Sequence, residues 1–477
     1  MLDLRSQVVG AGEPAPTLDG QAQPYVNLDN AASTPALRAV LDAVGRLLPW
    51  YSGVHRGTGY KARVSTEAYE EARRVVGAFV GADPARDAVV FTKNTTEAIN
   101  RLARSLVRRP GGVVLTTTLE HHSNDLPWRT LGRTVHVAAR PDGTLDEDDL
   151  DRLLTRFAGQ VELLAVTGAS NVTGIVTPIH RLAARVHEAG GRILVDAAQL
   201  APHRALDMRP HGDPGHLDFV ALSAHKLYAP FGTGALIGDR AAFAPAPDHR
   251  GGGTIRAVSL DTVAWDDLPQ REEAGSPNVL GAVALAAAAL ALSDIGLDQV
   301  AAHEAALTGY AVERLARIDG VTLHGPGGAA CDAGVDRVGV VPFTVDGLDH
   351  GLVAAILGHE HAVAARSGCF CAQPYIAHLL RVAPADERAR VRRARAGDTS
   401  GAPGMVRFSL GCYSDLGDID RAVDAVARIT ARDIAGVYRQ APDGTFRPRG
   451  YTEPVAFTLT PAVPAARPGL AAAGAPS

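Results

Sequence analysis

The sequence predicts an α/β protein with a large lobe built on a mostly parallel sheet and a smaller α+β lobe after it. Three observations carry this. Between residues 88 and 222, short and nearly continuous apolar stretches alternate with stretches at helical spacing, the pattern of a parallel sheet covered on both faces. At 477 residues the chain is too long for one small core and calls for two or three lobes. An alanine-rich run at 279–316 then interrupts the alternation, and shorter strands and helices follow it.

Composition narrows the function classes. A hydrophobic content of 46% with 21% charged residues describes an ordinary soluble globular protein, and a net charge of −5 argues against a polyanion-binding stripe. The N-terminal residues show no basic segment followed by an apolar run, so no secretory signal is expected. The longest apolar stretch, 279–292, is 14 residues and falls short of a membrane span. A cytoplasmic protein is expected. Its four cysteines, Cys331, Cys369, Cys371 and Cys412, are too few to staple a secreted scaffold and are read as free thiols, ligands or catalysts.

Residues 1–24, rich in Gly, Pro and Gln, read as a flexible N-terminal arm. A short strand from Tyr25 runs into a turn where Asp29, Asn30 and Ser33 suit capping roles, and a helix is expected over 36–48. The glycine-rich stretch 50–60 reads as an exposed loop. A helix over 65–80 leads to a strand over 88–92, after which Asn94 and Glu97 fit a capping box. The helix that begins near Thr95 would offer free N–H groups to an anion. Strands follow at 112–117, 134–138, 161–167, 192–195 and 219–222, with a helical turn at 128–131 and helices at 147–157 and 179–188. The large lobe is assigned 25–278, of which 25–50 also packs with the small lobe. The small lobe is assigned 279–453, with strands at 337–344, 362–367 and 406–410 and helices at 348–357 and 416–429. Within it, 384–404 has no apolar face and reads as a mobile insertion; 454–477 reads as a disordered tail.

The chemistry-bearing residues gather at the carboxyl ends of the predicted strands, where such sheets bind ligands. Asp196 ends one apolar strand, and a buried acid there needs a cationic partner. Lys226 follows another, so its ammonium must find an anion or carry a depressed pKa. A depressed pKa suits a lysine that attacks an aldehyde, since only the neutral amine is nucleophilic. His121, Asn171 and the Thr95–Thr96 pair follow three further strands. Each has a plainer reading as a structural histidine, a turn former or caps. Together they match pyridoxal phosphate, which wants a phosphate cradle, an acid against its ring nitrogen, a stacked group and a lysine on its aldehyde.

The motifs LDNAAST, HRGTG, NTTEAIN, EHHSNDLPW, SNVTG, VDAAQLAPH, SAHKLYAPFGTG, RGGG, EAGSPN, CAQP and VRFSLGCYS resemble the fold-type I, class V aminotransferase-like enzymes. The resemblance runs from about residue 28 to 429 and is strongest to the cysteine desulfurases that supply sulfur for iron–sulfur cluster assembly. It implies a fold-type I transferase with pyridoxal phosphate bound covalently to Lys226, His121 stacked on its ring, Asp196 on its ring nitrogen and Gln199 on its phenolic oxygen. Thr95, Thr96, Ser223 and His225 would hold the phosphate, and Ser276, a serine where the family has threonine, would reach the phosphate of a neighbouring subunit. Arg407 would clamp the substrate carboxylate with Asn171 beside it, while Arg56 and His55 would approach the partner's site in a homodimer. Cys371 stands where the family's nucleophile attacks the sulfur of substrate cysteine, leaving alanine and a persulfide for a sulfur acceptor.

The chain departs from the family at Ser367-Gly-Cys-Phe-Cys, where a histidine or aromatic pair is usual. On an extended segment Cys369 and Cys371 would face the same way, leaving Cys369 as a resolving thiol, a second sulfur carrier or a small buried residue. His359, His361, Cys369 and Cys371 also offer donors for zinc, although structural zinc sites space their cysteines more widely, and no metal is assigned. Two other functions stay open: another class V enzyme, such as a selenocysteine lyase, a β-eliminating C–S lyase, an epimerase or an aminotransferase, and a non-enzymatic scaffold.

Overall fold

The computed structural model describes residues 2–106, 109–325, 335–398, 401–441, 444–454 and 457–459. Cys331 and most of the tail assigned to 454–477 lie outside these residues. The expected loose arm is instead packed down. Leu4 and Val8 are buried, Arg5 pairs with Asp418 at 2.9 Å, and Pro14–Pro16 forms a hairpin with Ala22–Pro24. Two apolar anchors and one cation set against an acidic helix start are enough to fix a segment that composition alone marks as loose.

Helix α1 (Arg38–Leu47) has no side-chain cap, so Asp29, Asn30 and Ser33 are free for other work. Helix α2 (Tyr60–Phe79) begins earlier than its periodicity suggests. The large lobe then runs β1 (Asp87–Thr92), α3 (Thr95–Ser105), β2 (Val113–Thr117), β3 (Arg133–Val137), α4 (Glu147–Arg156), β4 (Val161–Thr167), α5 (Ile179–Glu188), β5 (Arg192–Asp196), β6 (Phe219–Ser223) and β7 (Gly234–Asp239). Among the described residues these strands form one sheet in the order β1-β7-β6-β5-β4-β2-β3. Only β7 is antiparallel to its neighbours. Apart from the edge strand β3, which is buried only at Val137, the strands are buried almost throughout, which explains their nearly continuous apolar runs.

Helix α6 (Val279–Ile295) corrects the assigned boundary at 278/279. It is apolar on all sides and packs against α1 and α2 within the large-lobe core. Helix α7 (Leu297–Leu315) leaves it at a 74° bend and spans both lobes, with Val300 in the large core and Leu307, Ala311 and Leu315 in the small one. The small lobe adds β8 (Val321–Leu323), β9 (Val340–Val345), α8 (His350–His361), β10 (Arg366–Gly368), α9 (Gln373–Leu379), α10 (Pro384–Arg395), β11 (Met405–Ser409) and α11 (Leu416–Thr430). Its sheet, ordered β8-β9-β11-β10, is antiparallel. Val26–Asn27 pairs with Val363–Ala364 and buries Val26 and Leu28 in this core.

Three further expectations change. The single strand over 362–367 is two pieces, one on Val26–Asn27 and one on β11. The insertion 384–404 carries a regular helix, α10, with no buried residue; helix-forming Ala and Arg supply the propensity that an apolar face does not. The helix expected over 348–357 runs on to His361, so His359 and His361 lie in the last turn of α8, and no cluster of three or more metal-ligating side chains occurs among the described residues. Among the described residues no single helix is long and apolar enough to cross a membrane.

Candidate active site

The carboxyl ends of β1, β2, β4, β5 and β6 and one edge of the small lobe enclose a cavity of about 350 Å³, within the range of small-ligand pockets. Thr95, Thr96, His121, Asn171, Asp196, Gln199, Ser223, His225, Lys226, Cys371 and Arg407 all line it. Ser276, Arg56 and His55 do not. All three are exposed, with His55 Nε2 on Glu70 at 3.0 Å and Arg56 on the Ile255 carbonyl at 3.3 Å.

The large-lobe wall is held by regular structure. Asn94 caps α3 by accepting the Glu97 N–H, and Glu97 answers by accepting the Lys93 N–H. The α3 N-terminus therefore stands fixed at the cavity with a buried Thr95 hydroxyl that has no partner. Gly234 makes this approach possible, because a Cβ there would meet the Asn94 backbone at 2.7 Å. Lys226 is carried by the turn after β6. Burial pushes its amine down to about 8, opposed by Asp196, and Nζ donates to Gln199 Oε1 at 3.4 Å. Asp196 is pushed upward by its own burial, against the Ala198 N–H and Lys226. His121 is lowered to about 3, first by burial and then by Lys226. Its Nδ1 accepts the Ser123 N–H at 3.1 Å, so the neutral ring carries its proton on Nε2.

Behind His121, Glu120 is a residue that sequence reasoning passed over. It binds Thr117 Oγ1 and Asn124 Nδ2, both at 2.6 Å, and the Thr167 N–H at 3.0 Å. It thus ties the end of β2 to the end of β4. Burial raises its carboxyl to about 8.

The small-lobe wall is a tight turn. Phe370 and Cys371 adopt φ of 50° and 55°, and the Ala372 N–H closes the turn on the Cys369 carbonyl at 2.8 Å. The segment is therefore not extended, and the expectation that both thiols face one way fails. Cys371 is exposed at the cavity, while Cys369 is partly buried against the large core. Two successive left-handed, non-glycine residues cost about 1–3 kcal/mol each, and the large lobe holds them there. Asn171 Nδ2 donates to the Phe370 carbonyl at 2.8 Å, and the His122 N–H donates to the Cys371 carbonyl at 2.7 Å. Asn171, expected beside cofactor and substrate, is thus partly committed to the Cys371 turn.

Arg407, on β11, is 2% exposed. It donates to the Asn171 carbonyl at 2.9 Å and to Asp29 at 3.0 Å, and stands 4.8 Å above the Phe370 ring. Burial lowers it to about 10, which leaves it cationic, and its Nε has no partner. Asp29 also binds Arg366 at 3.0 Å. These ion pairs join positions hundreds of residues apart and leave no local trace in the sequence.

The donor set fits pyridoxal phosphate. A capped helix N-terminus with an orphaned Thr95 hydroxyl suits a phosphate, Asp196 suits a ring nitrogen, and the softened Lys226 amine suits an aldehyde. The unsatisfied Arg407 Nε and the cation around it suit a carboxylate.

Residues 26–422 match the family described as aminotransferase class-V. The cysteine desulfurase of Haloferax volcanii is 34% identical over 418 residues, covering 86% of this chain and 90% of that protein. The cysteine desulfurase of Dickeya dadantii is 36% identical, covering 85% and 92%. Among solved structures, the apo cysteine desulfurase of Thermococcus onnurineus superposes with a TM-score of 0.74 at 31% identity, over 86% of this chain and 95% of that one.

Proposed function

Because the chain belongs to the class-V aminotransferase family, we propose that it is a pyridoxal phosphate-dependent cysteine desulfurase that converts L-cysteine to L-alanine and leaves a persulfide on Cys371. The observation that carries this reading is the placement of Cys371 on the same cavity as Lys226, Asp196 and Arg407. When bound, the cofactor supplies an electron sink for charge developing at the substrate α-carbon.

The chain's own groups do the rest. Thr95, Thr96, Ser223 and His225 would hold the phosphate, and His121, as a neutral imidazole, would cover the ring. Arg407 orients the substrate carboxylate through its unpaired Nε. Lys226, at about 8, has a neutral fraction near pH 7 that a lysine at its ordinary value lacks, and so takes and returns the proton at the α-carbon. The Cys371 thiolate forms an S–S bond to the substrate sulfur as the C–S bond breaks. That bond's electron pair goes to the carbon, which takes a proton and leaves as alanine.

A homodimer is part of the proposal. The groove between α1, α2 and α6, lined by Trp50, Val64, Val283 and Leu290, exposes Trp50 and Leu290, an apolar surface of the kind that marks an interface. Ser276 and Arg56, placed outside this chain's cavity, are then free to complete the partner's. The exposed Cys371 would pass its sulfur to an acceptor protein serving iron–sulfur cluster assembly. Free thiols in so large a chain suit the reducing cytoplasm.

The test is a product assay with cysteine, selenocysteine and other amino acids in parallel. Alanine and sulfane sulfur formed one for one from cysteine support the proposal. Turnover of selenocysteine alone, or pyruvate in place of alanine, would replace it with a lyase.

A further inference from the structure

Helix α10 (Pro384–Arg395) has no buried residue, so the hydrophobic core does not explain its presence, and the chemistry proposed above leaves it unused. Five of its 12 residues are arginines, and they divide between two faces. Arg390 turns toward the body of the protein, where its Nη2 donates to Gln373 Oε1 at 3.2 Å. The Gln373 N–H donates to His122 Nε2 at 3.1 Å, and the His122 N–H donates to the Cys371 carbonyl at 2.7 Å. The helix is thereby fastened to the turn that carries Cys371.

Arg388, Arg392 and Arg395 follow the i, i+4, i+7 spacing of a single helix face and line an open groove with Pro384 and Val391. All three are exposed. Among the described residues the ion pair on this helix is Arg393 with Asp398, at 3.6 Å, and the guanidinium groups of the groove have none. Val391, 41% exposed, stands among them. An apolar centre inside a rim of arginines is the anatomy of a protein-binding patch. A phosphate backbone would be met less well, because Glu387 lies in the same groove, Asp386 precedes it, and the chain as a whole carries a net charge of −5.

We propose that this face of α10 is the docking surface for a sulfur acceptor protein that presents its thiol within an acidic surface. The inference rests on the desulfurase reading above. Cys371 is exposed at the cavity, so a thiol of another protein can reach a persulfide there. The acceptor thiolate attacks the outer persulfide sulfur, and a new S–S bond forms on the acceptor as the S–S bond to Cys371 Sγ breaks. Cys371 leaves as a thiolate, and no outside oxidant or reductant is needed. An interface of about 800 Å² on each partner is wide enough to cover the cavity mouth and a helix about 18 Å long beside it. Cations fixed next to the thiol steer an acidic partner to it and raise the rate of encounter.

The test measures kcat/KM for the acceptor in alanine formation from L-cysteine by the holoenzyme. The acceptors are dithiothreitol, a synthetic peptide whose single cysteine is flanked by glutamates, and the same peptide with glutamines in their place. The glutamate peptide is expected to exceed the glutamine peptide by about tenfold at low salt, and the preference should shrink to within about twofold at about 0.5 M salt. Arg388→Gln, Arg392→Gln and Arg395→Gln together, which keep good helix formers, should abolish the preference and leave turnover with dithiothreitol unchanged. If the triple variant loses that turnover as well, Arg392→Gln alone is read, with the preference expected to fall by about twofold. Equal rates for the two peptides in the parent, or a preference that survives the substitutions, overturns the inference. An RNA oligonucleotide that blocks transfer to both peptides equally would assign the face to nucleic acid and overturn it too. A parent that forms no alanine with dithiothreitol overturns the desulfurase reading and this inference with it, whereas turnover with dithiothreitol and no peptide preference overturns the inference only.

Discussion

The Lys226 wall and the Cys371 wall face one cavity, but they are held in place in different ways. Lys226, Asp196, His121 and Thr95 sit at the ends of buried strands or at a capped helix start, with ordinary backbone and local hydrogen bonds. Cys371 sits on a turn with two successive left-handed residues, kept there by Asn171 and His122 from the opposite lobe. The first wall is a property of one sheet. The second exists only while the two lobes are packed together, which separates holding the cofactor from carrying out the reaction. Variants in the two walls should therefore fail in different ways.

The largest effect is expected at Lys226. Lys226→Ala should abolish the visible band of covalently held cofactor and lower turnover by more than about a thousandfold. Absorbance after gel filtration and alanine release check the two losses separately. Next comes Arg407→Lys, which keeps the charge but loses the planar fork that reaches Asp29, the Asn171 carbonyl and a carboxylate at once. A fall of roughly a hundredfold in kcat/KM is expected, with the cofactor band retained.

A smaller effect on stability distinguishes the strand-end wall. Glu120 has a folded pKa of about 8 against an ordinary value of 4.5. The stability of its protonated state is fully present below the unfolded value and is lost as pH rises through about 8. Glu120→Gln should flatten that window and gain up to a few kcal/mol at the alkaline end, as read by denaturant unfolding from pH 5 to 9. Equal pH profiles for parent and variant would show that the acid is ionised in place.

Much of the first wall was legible in the sequence, because each residue follows a strand whose apolar run is visible locally. The Asn94–Glu97 capping box announced the start of α3, and Asp196 and Lys226 stood out as charges after buried strands. The second wall was not legible in the same way. Nothing local shows that Phe370 and Cys371 are left-handed, because the carbonyl partners that hold them come from about 200 and 250 residues upstream. The Asp29–Arg407 and Asp29–Arg366 pairs are of the same kind. The packing of the N-terminal arm is not visible in the sequence because its anchors Leu4, Arg5 and Val8 are isolated and have no periodicity. The lobe to which helix α6 belongs is not legible in the sequence, because an alanine-rich helix carries no sign of which core it fills. Helix α10 leaves no periodic signal because it has no apolar face.

The division of labour between the walls is tested most directly by Cys371→Ala, purified with its cofactor and given excess L-cysteine. The predicted result is an unchanged cofactor band, a spectral response to substrate, and alanine and sulfane sulfur reduced by more than about a thousandfold. Release of both products at the parent rate would contradict the account, because sulfur would then leave the substrate without the Cys371 thiol.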